Sequence, residues 1–300
     1  MKILMSGASG FVGSALTGFL RTCGHQVIRL VRDESLVTVD SIFWDPAKGI
    51  LDPNAIEGFD AVINLAGESV VGGRWTTHRK ELIVNSRVQA TKLLAETMAK
   101  LVNPPKTFIS ASAVGYYGDR CNKVSTEDTA AGQGFLASVC QQWEAATAPA
   151  EKKGIRTIHM RMSMVLSPKG GALRKMLIPF KLGLGGRLGG GEHYMSWIAL
   201  DDLSAGVLFL LNNPSIEGVV NMTSPTPVTN AEFTRTLGKV VRRSTVFSTP
   251  AWVLKLILGA EMTNDFLLCS LRVEPERLTK AGYTFLYPDL LCALKHLLKY

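Results

Sequence analysis

The chain begins with a short apolar strand that runs directly into a glycine-rich turn and an amphipathic helix. Residues 2–6 read KILMS, and the turn places Gly7, Gly10 and Gly13 three residues apart. Unpaired N–H groups and the dipole at a helix start favour a bound anion, so a pyrophosphate can lie over this bare backbone. The spacing differs from the common G-x-G-x-x-G, and a tight turn without a ligand is the alternative. Together the three segments predict a dinucleotide-binding turn.

Strand and helix patterns alternate through the first half of the chain. The predicted strands are 26–31, 41–44, 61–65, 107–110 and 155–160, the last continuing towards 166, and the predicted helices are 79–100 and 135–152. Repeated βα units imply parallel strands joined by right-handed crossovers. The predicted fold class is therefore α/β, a Rossmann-type doubly wound parallel sheet that binds ligands at the C-terminal ends of its strands.

The net charge of +8 and the isoelectric point near 9.3 raise the question of a nucleic-acid partner. No block of consecutive Lys or Arg residues and no zinc-ligand spacing accompanies that charge. A dispersed positive excess favours an anionic small-molecule ligand over nucleic acid, with plain surface charge as the alternative. We expect no nucleic-acid partner and no metal site.

Five cysteines are present, an odd number without C-x-x-C spacing. They predict reduced, mostly buried thiols in a cytoplasmic protein. The first predicted strand starts at residue 2, and no stretch of about 20 apolar residues follows it. We therefore expect neither a targeting segment nor a membrane span, and either a monomer or a homodimer.

The second predicted strand is followed at once by Arg32 and Asp33. NAD-binding proteins place an acidic side chain about 20 residues beyond the glycines, where it bonds the ribose 2′-hydroxyl. NADP-binding proteins need a cation there, and a guanidinium can bind the 2′-phosphate through two hydrogen bonds. Arg32 therefore favours NADP(H) as the cofactor, with a solvated strand end as the alternative.

The sequence changes character after residues 167–171. Residues 183–191 contain six glycines, which is typical of a loop, and a capping box at 229–232 predicts the start of a helix. We predict that residues 1–166 and 203–224 form the NADP-binding Rossmann domain. Residues 167–202 and 225–300 are predicted to form a smaller, interleaved C-terminal substrate domain.

Ordered motifs spread along the chain carry a family resemblance. They include residues 64–68 (NLAGE), 110–118 (SASAVGYYG), 143–144 (WE), 170–173 (GGAL) and 196–198 (SWI). With these motifs the chain resembles an extended short-chain dehydrogenase/reductase. More narrowly, it resembles the atypical epimerase-family branch, whose members are labelled cell-division-inhibitor-like nucleoside-diphosphate-sugar epimerases.

The resemblance implies a set of cofactor contacts. The residues implied at the pyrophosphate are Gly7, Ser9, Gly10, Phe11, Val12 and Gly13. Arg32 is implied at the 2′-phosphate, and the adenosine side is implied to be lined by Leu65, Ala66 and Gly67. The other residues implied to approach the cofactor are Glu81, Arg87, Ser110 and Val165, the last through its backbone at the nicotinamide carboxamide. For Glu81 and Arg87, a solvated helix face is the alternative.

The resemblance also implies a Tyr-x-x-x-Lys pair for proton transfer, and this chain departs from it. Counting back from Glu144 puts Leu136 at the Tyr position and Cys140 at the Lys position. Leucine has no proton to give, and a thiol is not a fixed cation. The branch commonly has His two residues after its Trp, where this chain has Ala199. His193 is then the histidine near the predicted cleft and a candidate substrate contact.

Candidates for the remaining catalytic groups lie at the end of the strand around residue 110. The serine that orients a substrate oxygen corresponds to Ser112 or Ser110. Tyr117 or Tyr116 can replace the lost phenol, with ring packing at the mouth of the cleft as the alternative. No obvious charge nearby lowers the pKa of either phenol.

Two functions of different classes remain open. The first is an NADP(H)-dependent oxidoreductase or epimerase that acts on a carbonyl or alcohol substrate, which the family label suggests is a nucleotide sugar. The second is a non-catalytic NADPH-binding sensor or regulatory protein, which the loss of both Tyr and Lys favours. Turnover of NADPH with a small carbonyl compound distinguishes them.

Overall fold

The computed structural model describes residues 1–71 and 73–299. Its strands are β1 (Lys2–Ser6), β2 (Gln26–Val31), β3 (Ser41–Phe43), β4 (Ala61–Asn64), β5 (Thr107–Ala113), β6 (Val124–Ser125), β7 (Arg156–Met162), β8 (Met164–Leu166), β9 (Gly186–Leu188), β10 (Tyr194–Met195), β11 (Trp197–Ala199), β12 (Gly218–Met222), β13 (Val228–Thr229), β14 (Phe247–Thr249) and β15 (Arg272–Val273). Its α-helices are α1 (Phe11–Thr22), α2 (Thr77–Lys100), α3 (Phe135–Ala145), α4 (Ala148–Lys152), α5 (Gly171–Lys181), α6 (Leu200–Asn212), α7 (Asn230–Val241), α8 (Ala251–Leu258), α9 (Ala260–Met262), α10 (Glu276–Lys280) and α11 (Leu290–Leu298).

Seven parallel strands form the central sheet in the order β3-β2-β1-β4-β5-β7-β12. In register, Ile3 of β1 lies between Val27 of β2 and Ala61 of β4. The strand order reverses between β1 and β4, so the ends of these two strands border the crevice where doubly wound sheets bind ligands. The predicted Rossmann-type α/β fold is confirmed.

Successive side chains of β1 pack on opposite faces of the sheet. Ile3 belongs to a cluster that includes Leu16 of α1 and Val207 of α6. Leu4 belongs to the cluster on the other face, with Leu94 of α2. Burial of each such side chain contributes about 1.5–3 kcal/mol. Because helices cover both faces of the sheet, the sequence of β1 is a nearly continuous apolar run. The glycine turn therefore follows a strand that is packed on both faces.

The predicted helix at 135–152 is wrong in its length, because α3 ends at Ala145 and α4 begins at Ala148. Pro149 explains the break: its ring has no N–H to donate and clashes with the carbonyl four residues earlier, at Ala145. Thr147 lies in the gap, where its Oγ1 donates to the Glu144 carbonyl at 2.7 Å. α3 is therefore a short helix whose end carries Glu144.

The strand predicted from 155 towards 166 is also divided. β7 lies beside β5 in the central sheet, whereas β8 leaves the sheet and pairs in parallel with β11. Residues 183–191, predicted to be a loop, include β9, which pairs with β14. Glycine-rich and very short strands have no periodicity of their own, so their distant partners cannot be predicted from the local pattern.

Residues 228–241 and 287–298 pack around a cluster outside the central sheet. This cluster contains Leu177 of α5, Phe233 of α7 and Leu294 of α11, which surround Trp197 of β11. The Trp197 side chain is fully buried, and its Nε1 donates to the Thr226 carbonyl at 3.0 Å. The Trp197 ring is buried and its N–H has an acceptor, so this indole fixes the position of β11 beside the end of the sheet.

The capping box predicted at 229–232 is present at the start of α7, where Thr229 and Glu232 each bond the other's backbone N–H. The predicted domain boundaries stay a prediction, and two residues within them, Gly72 and Tyr300, lie outside the described residues. Across 1–71 and 73–299, the structure has no helix that is both long and apolar enough to span a membrane.

Candidate cofactor and substrate cleft

The glycine turn at the end of β1 packs its backbone against the end of β4. Gly7 has a φ of +66°, and a Cβ atom on it would lie 2.6 Å from the carbonyl carbon of Leu65. A Cβ on Gly13 would lie 2.1 Å from the Gly7 oxygen, which no side chain tolerates. A Cβ on Gly10 would meet only the Gly7 oxygen, at 3.2 Å. Two glycines therefore serve the packing of the turn, and the third leaves space above it.

The start of α1 has the features of an anion site. Gly10 is the N-cap residue, and it has no side chain with which to cap the helix. Ser9 and Gly10 are exposed, and the side chains of Phe11 and Val12 are half-buried at the crevice. The first N–H groups of a helix have no partner within the helix, so they are suited to a phosphate. The residues present fit the pyrophosphate of a dinucleotide.

Asp33, the acidic residue near the end of β2, has a structural role. Its Oδ1 accepts hydrogen bonds from the Ser35 backbone N–H at 2.9 Å and from the Ser35 hydroxyl at 2.7 Å. These bonds cap the single 3₁₀ turn at Glu34–Leu36 and lower the pKa of Asp33. Arg32 is exposed directly after β2. The carboxylate is thus occupied by its own turn, and a guanidinium is presented to solvent beside it.

A buried polar network holds the end of β4 against the glycine turn. Ser6 donates to Asn64 Oδ1 at 2.6 Å, and Asn64 Nδ2 donates to Thr91 Oγ1 at 2.7 Å. The Ser6 hydroxyl also accepts the N–H groups of Leu65 and Ala66 at 3.2 and 3.3 Å. These bonds fix the backbone of the predicted adenosine side. Ser110 lies within this buried network, 3.5 Å from Asn64 Nδ2.

The two predicted cofactor residues on α2 have different surroundings. Arg87 packs against Gly67, where a Cβ atom would lie 3.2 Å from the Arg87 Cζ. Its Nη1 donates to the Ile83 carbonyl at 2.9 Å, and its Cζ lies 5.0 Å from the centre of the Trp143 ring. Glu81 is exposed on the helix surface. The structure therefore places Arg87, but not Glu81, at the wall of the cleft described next.

A cavity of about 420 Å³ opens beyond the last residues of β5 and β7. We refer to this cavity as the cleft. Four predicted cofactor residues line it: Phe11, Val12, Arg87 and Val165. Leu136 and Cys140, one turn apart on α3, line it as well. The positions at which the resemblance implies Tyr and Lys thus face the cleft, although neither residue type is present there.

Ser112 lies behind the wall of the cleft and donates to Glu144 Oε1 at 2.6 Å. Glu144 also forms a two-bond ion pair with Arg161, whose Nε and Nη2 each lie 2.8 Å from a carboxylate oxygen. The Arg161 side chain is 3% exposed and that of Glu144 is 11% exposed. The Ser112 hydroxyl is therefore committed to a buried ion pair between α3 and β7.

Both predicted tyrosines belong to the same buried cluster. The Tyr117 side chain is fully buried, and its hydroxyl accepts from Arg161 Nη1 at 3.0 Å and donates to Asn221 Oδ1 at 2.7 Å. Burial raises the pKa of Tyr117 to about 12. The Arg161 Cζ lies 3.3 Å from the centre of the Tyr116 ring. Contrary to the sequence expectation, the structure brings neither phenol to the wall of the cleft.

Asp265, which no sequence pattern indicates, joins the C-terminal region to the cleft. It lies in the π-helical turn Thr263–Leu267, and its Oδ2 accepts the Phe135 N–H at 3.0 Å at the start of α3. A Cβ on Gly134 would lie 2.7 Å from the same oxygen. Asp265 thus caps the helix that carries Leu136 and Cys140. No local pattern signals a cap supplied from 130 residues away.

Comparison with known proteins establishes the family. Residues 3–222 match the NAD dependent epimerase/dehydratase family. The chain belongs to this family. Residues 249–297 match a further domain, described as a domain of unknown function (DUF1731). The family resemblance predicted from the motifs at 64–68 and 110–118 is confirmed.

Relatives of this epimerase family chain align along its whole length. The epimerase family protein MT2273 of Mycobacterium tuberculosis is 41% identical over 283 residues, which are 94% of this chain and 93% of the relative. The crystal structure of human epimerase family protein SDR39U1 with NADPH has a TM-score of 0.91 at 32% identity, covering 100% of this chain and 99% of the human chain. A nucleoside-diphosphate sugar epimerase from Corynebacterium glutamicum has a TM-score of 0.82 at 37% identity, covering 99% of this chain and 58% of that chain.

Within this epimerase family fold, the thiol at the expected Lys position, Cys140, is unreactive. Cys140 is buried, and its Sγ lies 3.5 Å from the Ala113 carbonyl oxygen. Burial, together with the nearby Glu144 carboxylate, raises the pKa of Cys140 to about 11. The thiol is therefore protonated at neutral pH and is not a nucleophilic thiolate. Neither Cys140 nor Leu136 can supply the charge that a Tyr-x-x-x-Lys pair provides.

Proposed function

We propose that this chain is an NADP(H)-dependent oxidoreductase or epimerase that acts on a carbonyl or secondary alcohol. The observation that carries the proposal is the uncapped start of α1 above a glycine turn that has open space at Gly10. The cofactor, when bound, supplies or accepts the hydride. The human relative that was crystallised with NADPH supports the choice of cofactor.

The predicted cofactor residues have the chemistry that their proposed roles require. The N–H groups at the start of α1 would bind the pyrophosphate, and Arg32 would bind the 2′-phosphate. Leu65, Ala66 and Gly67 would border the adenosine, where small or apolar residues let the ligand approach the backbone. Val165 and Phe11, both at the wall of the cleft, would orient the nicotinamide. Glu81 stays a prediction that its exposed position does not support.

The catalytic roles of Ser112, Tyr116 and Tyr117 stay predictions. Their contacts favour a supporting role, because the buried pair of Glu144 and Arg161 engages all three side chains. In this arrangement they hold α3 against β7 and so fix the wall that carries Leu136 and Cys140. The chain's own contribution to the reaction would then be binding, orientation and exclusion of water.

A non-catalytic NADPH-binding sensor is the second candidate function. It is favoured by Leu136 and Cys140, which place no proton-transferring group at the two cleft positions where the family resemblance implies one. A sensor would bind NADPH without oxidising it in the presence of any small carbonyl compound. Absorbance at 340 nm, followed with a panel of ketones and aldehydes, distinguishes this function from an oxidoreductase.

Replacing Arg32 with Ala is expected to raise the Kd for NADPH about 10-fold to 100-fold, the effect of losing a charged hydrogen-bond pair. The Kd for NADH should change less than about twofold, because NADH has no 2′-phosphate. Nicotinamide fluorescence at fixed salt measures both. The matched control is Lys92→Ala, which removes an exposed cation from the surface of α2. An equal loss for both cofactors would show that Arg32 does not recognise the 2′-phosphate.

A further inference from the structure

The part of the cleft formed by residues 176–271 is mostly apolar, although His193, Tyr194, Ser196 and Asp265 also line it. Six side chains from this part of the chain give it a hydrocarbon and thioether surface: Met176, Leu188, Met195, Phe266, Leu267 and Leu271. Thioethers are flexible and polarizable, so such a surface adapts to irregular apolar shapes. Ligand pockets with walls of this kind bind through apolar contact and use a few polar groups for orientation.

Apart from the start of α1, which the proposed cofactor would occupy, the cleft lacks the groups that would hold the diphosphate of a nucleotide sugar. Among the described residues that line it, Arg87 is the only Lys or Arg, and it lies on the cofactor side between Gly67 and Trp143. Of the polar side chains that line the cleft, the Ser163 and Ser196 hydroxyls donate to backbone carbonyls. A diphosphate needs cations or free N–H groups to offset its desolvation.

The start of α5 would be the other place for a phosphate, and an aromatic ring covers it. Gly171 begins α5 at the wall of the cleft, and no side chain caps the helix. Cβ atoms on Gly170 and Gly171 would lie 2.4 and 2.9 Å from carbon atoms of the Phe11 ring. The ring therefore packs directly on these glycines and takes up space beside the start of the helix that a phosphate bound there would need.

His193 is one of three polar side chains in this part of the cleft, with Tyr194 and Asp265, that retain an unused bonding position, and its free position is a buried atom. Its Nε2 is buried and has no hydrogen-bond partner among the described residues. The side chain lines the cleft, and burial lowers the pKa of His193, so the imidazole is neutral at neutral pH. A buried nitrogen without a partner is costly, and a rotation of the half-buried ring that brings Nε2 to a ligand in the cleft would offset that cost.

We propose that the cleft binds an uncharged, largely hydrocarbon ketone or aldehyde whose oxygen is bonded by His193, and not a nucleotide sugar. This inference rests on the proposed NADP(H)-dependent function, since the carbonyl is the group that such an enzyme reduces. It concerns binding and orientation by His193, which donates a hydrogen bond from the neutral ring and transfers no proton, so the proton that the reduced oxygen gains would come from solvent.

Isothermal titration calorimetry with three probes tests this substrate class, both with and without saturating NADPH. The probes are 2-acetylnaphthalene, its hydrocarbon counterpart 2-ethylnaphthalene, and UDP-glucose. We expect 2-acetylnaphthalene to bind at least about tenfold more tightly than UDP-glucose and about fivefold more tightly than 2-ethylnaphthalene, the effect of one hydrogen bond. Tighter binding of UDP-glucose, or no binding of 2-acetylnaphthalene, would overturn the inference.

Two variants with a matched control locate the site. Met176→Lys puts a charge in the apolar wall and should weaken 2-acetylnaphthalene binding at least about tenfold. Ile178→Lys, on the exposed face of the same helix, should leave it unchanged. His193→Leu should remove the advantage of the ketone over its hydrocarbon counterpart. A ketone preference that survives His193→Leu would show that another group bonds the carbonyl.

The readouts separate this inference from the proposed function. If NADPH fails to bind, the proposed function fails, while titrations without NADPH still report which probe the cleft accepts. If NADPH binds and UDP-glucose is preferred, the proposed function stands and the inference about the substrate class fails. NADPH binding to Met176→Lys and His193→Leu should match that of the unmodified protein.

Discussion

Replacing Glu144 with Ala is expected to lower the free energy of unfolding by about 3–5 kcal/mol, because it leaves the Arg161 guanidinium buried without its counter-charge. The Arg161 side chain is 3% exposed, and both oxygens of Glu144 accept from it at 2.8 Å. The loss also removes the acceptor of the Ser112 hydroxyl. Urea denaturation followed by circular dichroism measures the change in stability.

The matched control for Glu144 is Glu151→Ala. The Glu151 side chain is 45% exposed and pairs with His159 at 3.1 Å, so its loss should cost less than about 1 kcal/mol. A double variant, Glu144→Leu with Arg161→Met, should recover most of the lost stability, since apolar side chains of similar size can replace a buried pair. A small effect of Glu144→Ala would mean that water reaches the pair.

Replacing Gly10 with Ala is expected to raise the Kd for NADPH on the order of 100-fold, which corresponds to about 3 kcal/mol, while the melting temperature stays within a few degrees. The added methyl group meets only the Gly7 oxygen at 3.2 Å and extends into the space proposed for the pyrophosphate. Gly13→Ala should lower both NADPH binding and stability, because its Cβ would lie 2.1 Å from a backbone oxygen. Cofactor fluorescence and thermal unfolding measure the two effects.

Gly18→Ala provides the control on the same helix. Nothing lies within 4 Å of a Cβ at this position, so the fold should gain about 0.5–1 kcal/mol from the better helix former. NADPH binding should not change. If Gly10→Ala binds NADPH as well as Gly18→Ala does, the pyrophosphate does not lie over the start of α1.

Local patterns were sufficient to predict the nucleotide-binding half of the fold. The turn around Gly7 and Gly13 has a strand before it and a helix after it, and each βα repeat that follows dictates a parallel neighbour. The capping box at 229–232 likewise depends on four consecutive residues. Such features are determined by interactions within one turn or one crossover, which a single sequence displays.

The roles of single side chains behind the cleft depended on contacts between distant segments. Ser112 near the end of β5 and Tyr117 just after it stand in the order that an active site requires, yet Glu144 binds the first and Arg161 binds the second. Those partners lie 32 and 44 residues away. No periodicity in the sequence predicts whether a polar side chain such as Ser112 or Tyr117 will face the cleft or be buried behind its wall.

The sequence by itself determined the alternation of strands and helices in the nucleotide-binding half, the glycine turn, the cation at Arg32 and the absence of a Tyr-x-x-x-Lys pair. Only the tertiary structure decided what the cleft is made of. Its apolar wall draws on α5, β9, β10 and the π-helical turn at Thr263–Leu267, and Asp265 caps α3 from the same turn. Backbone geometry and periodicity are local, whereas burial and hydrogen-bond partners arise only when distant segments pack together.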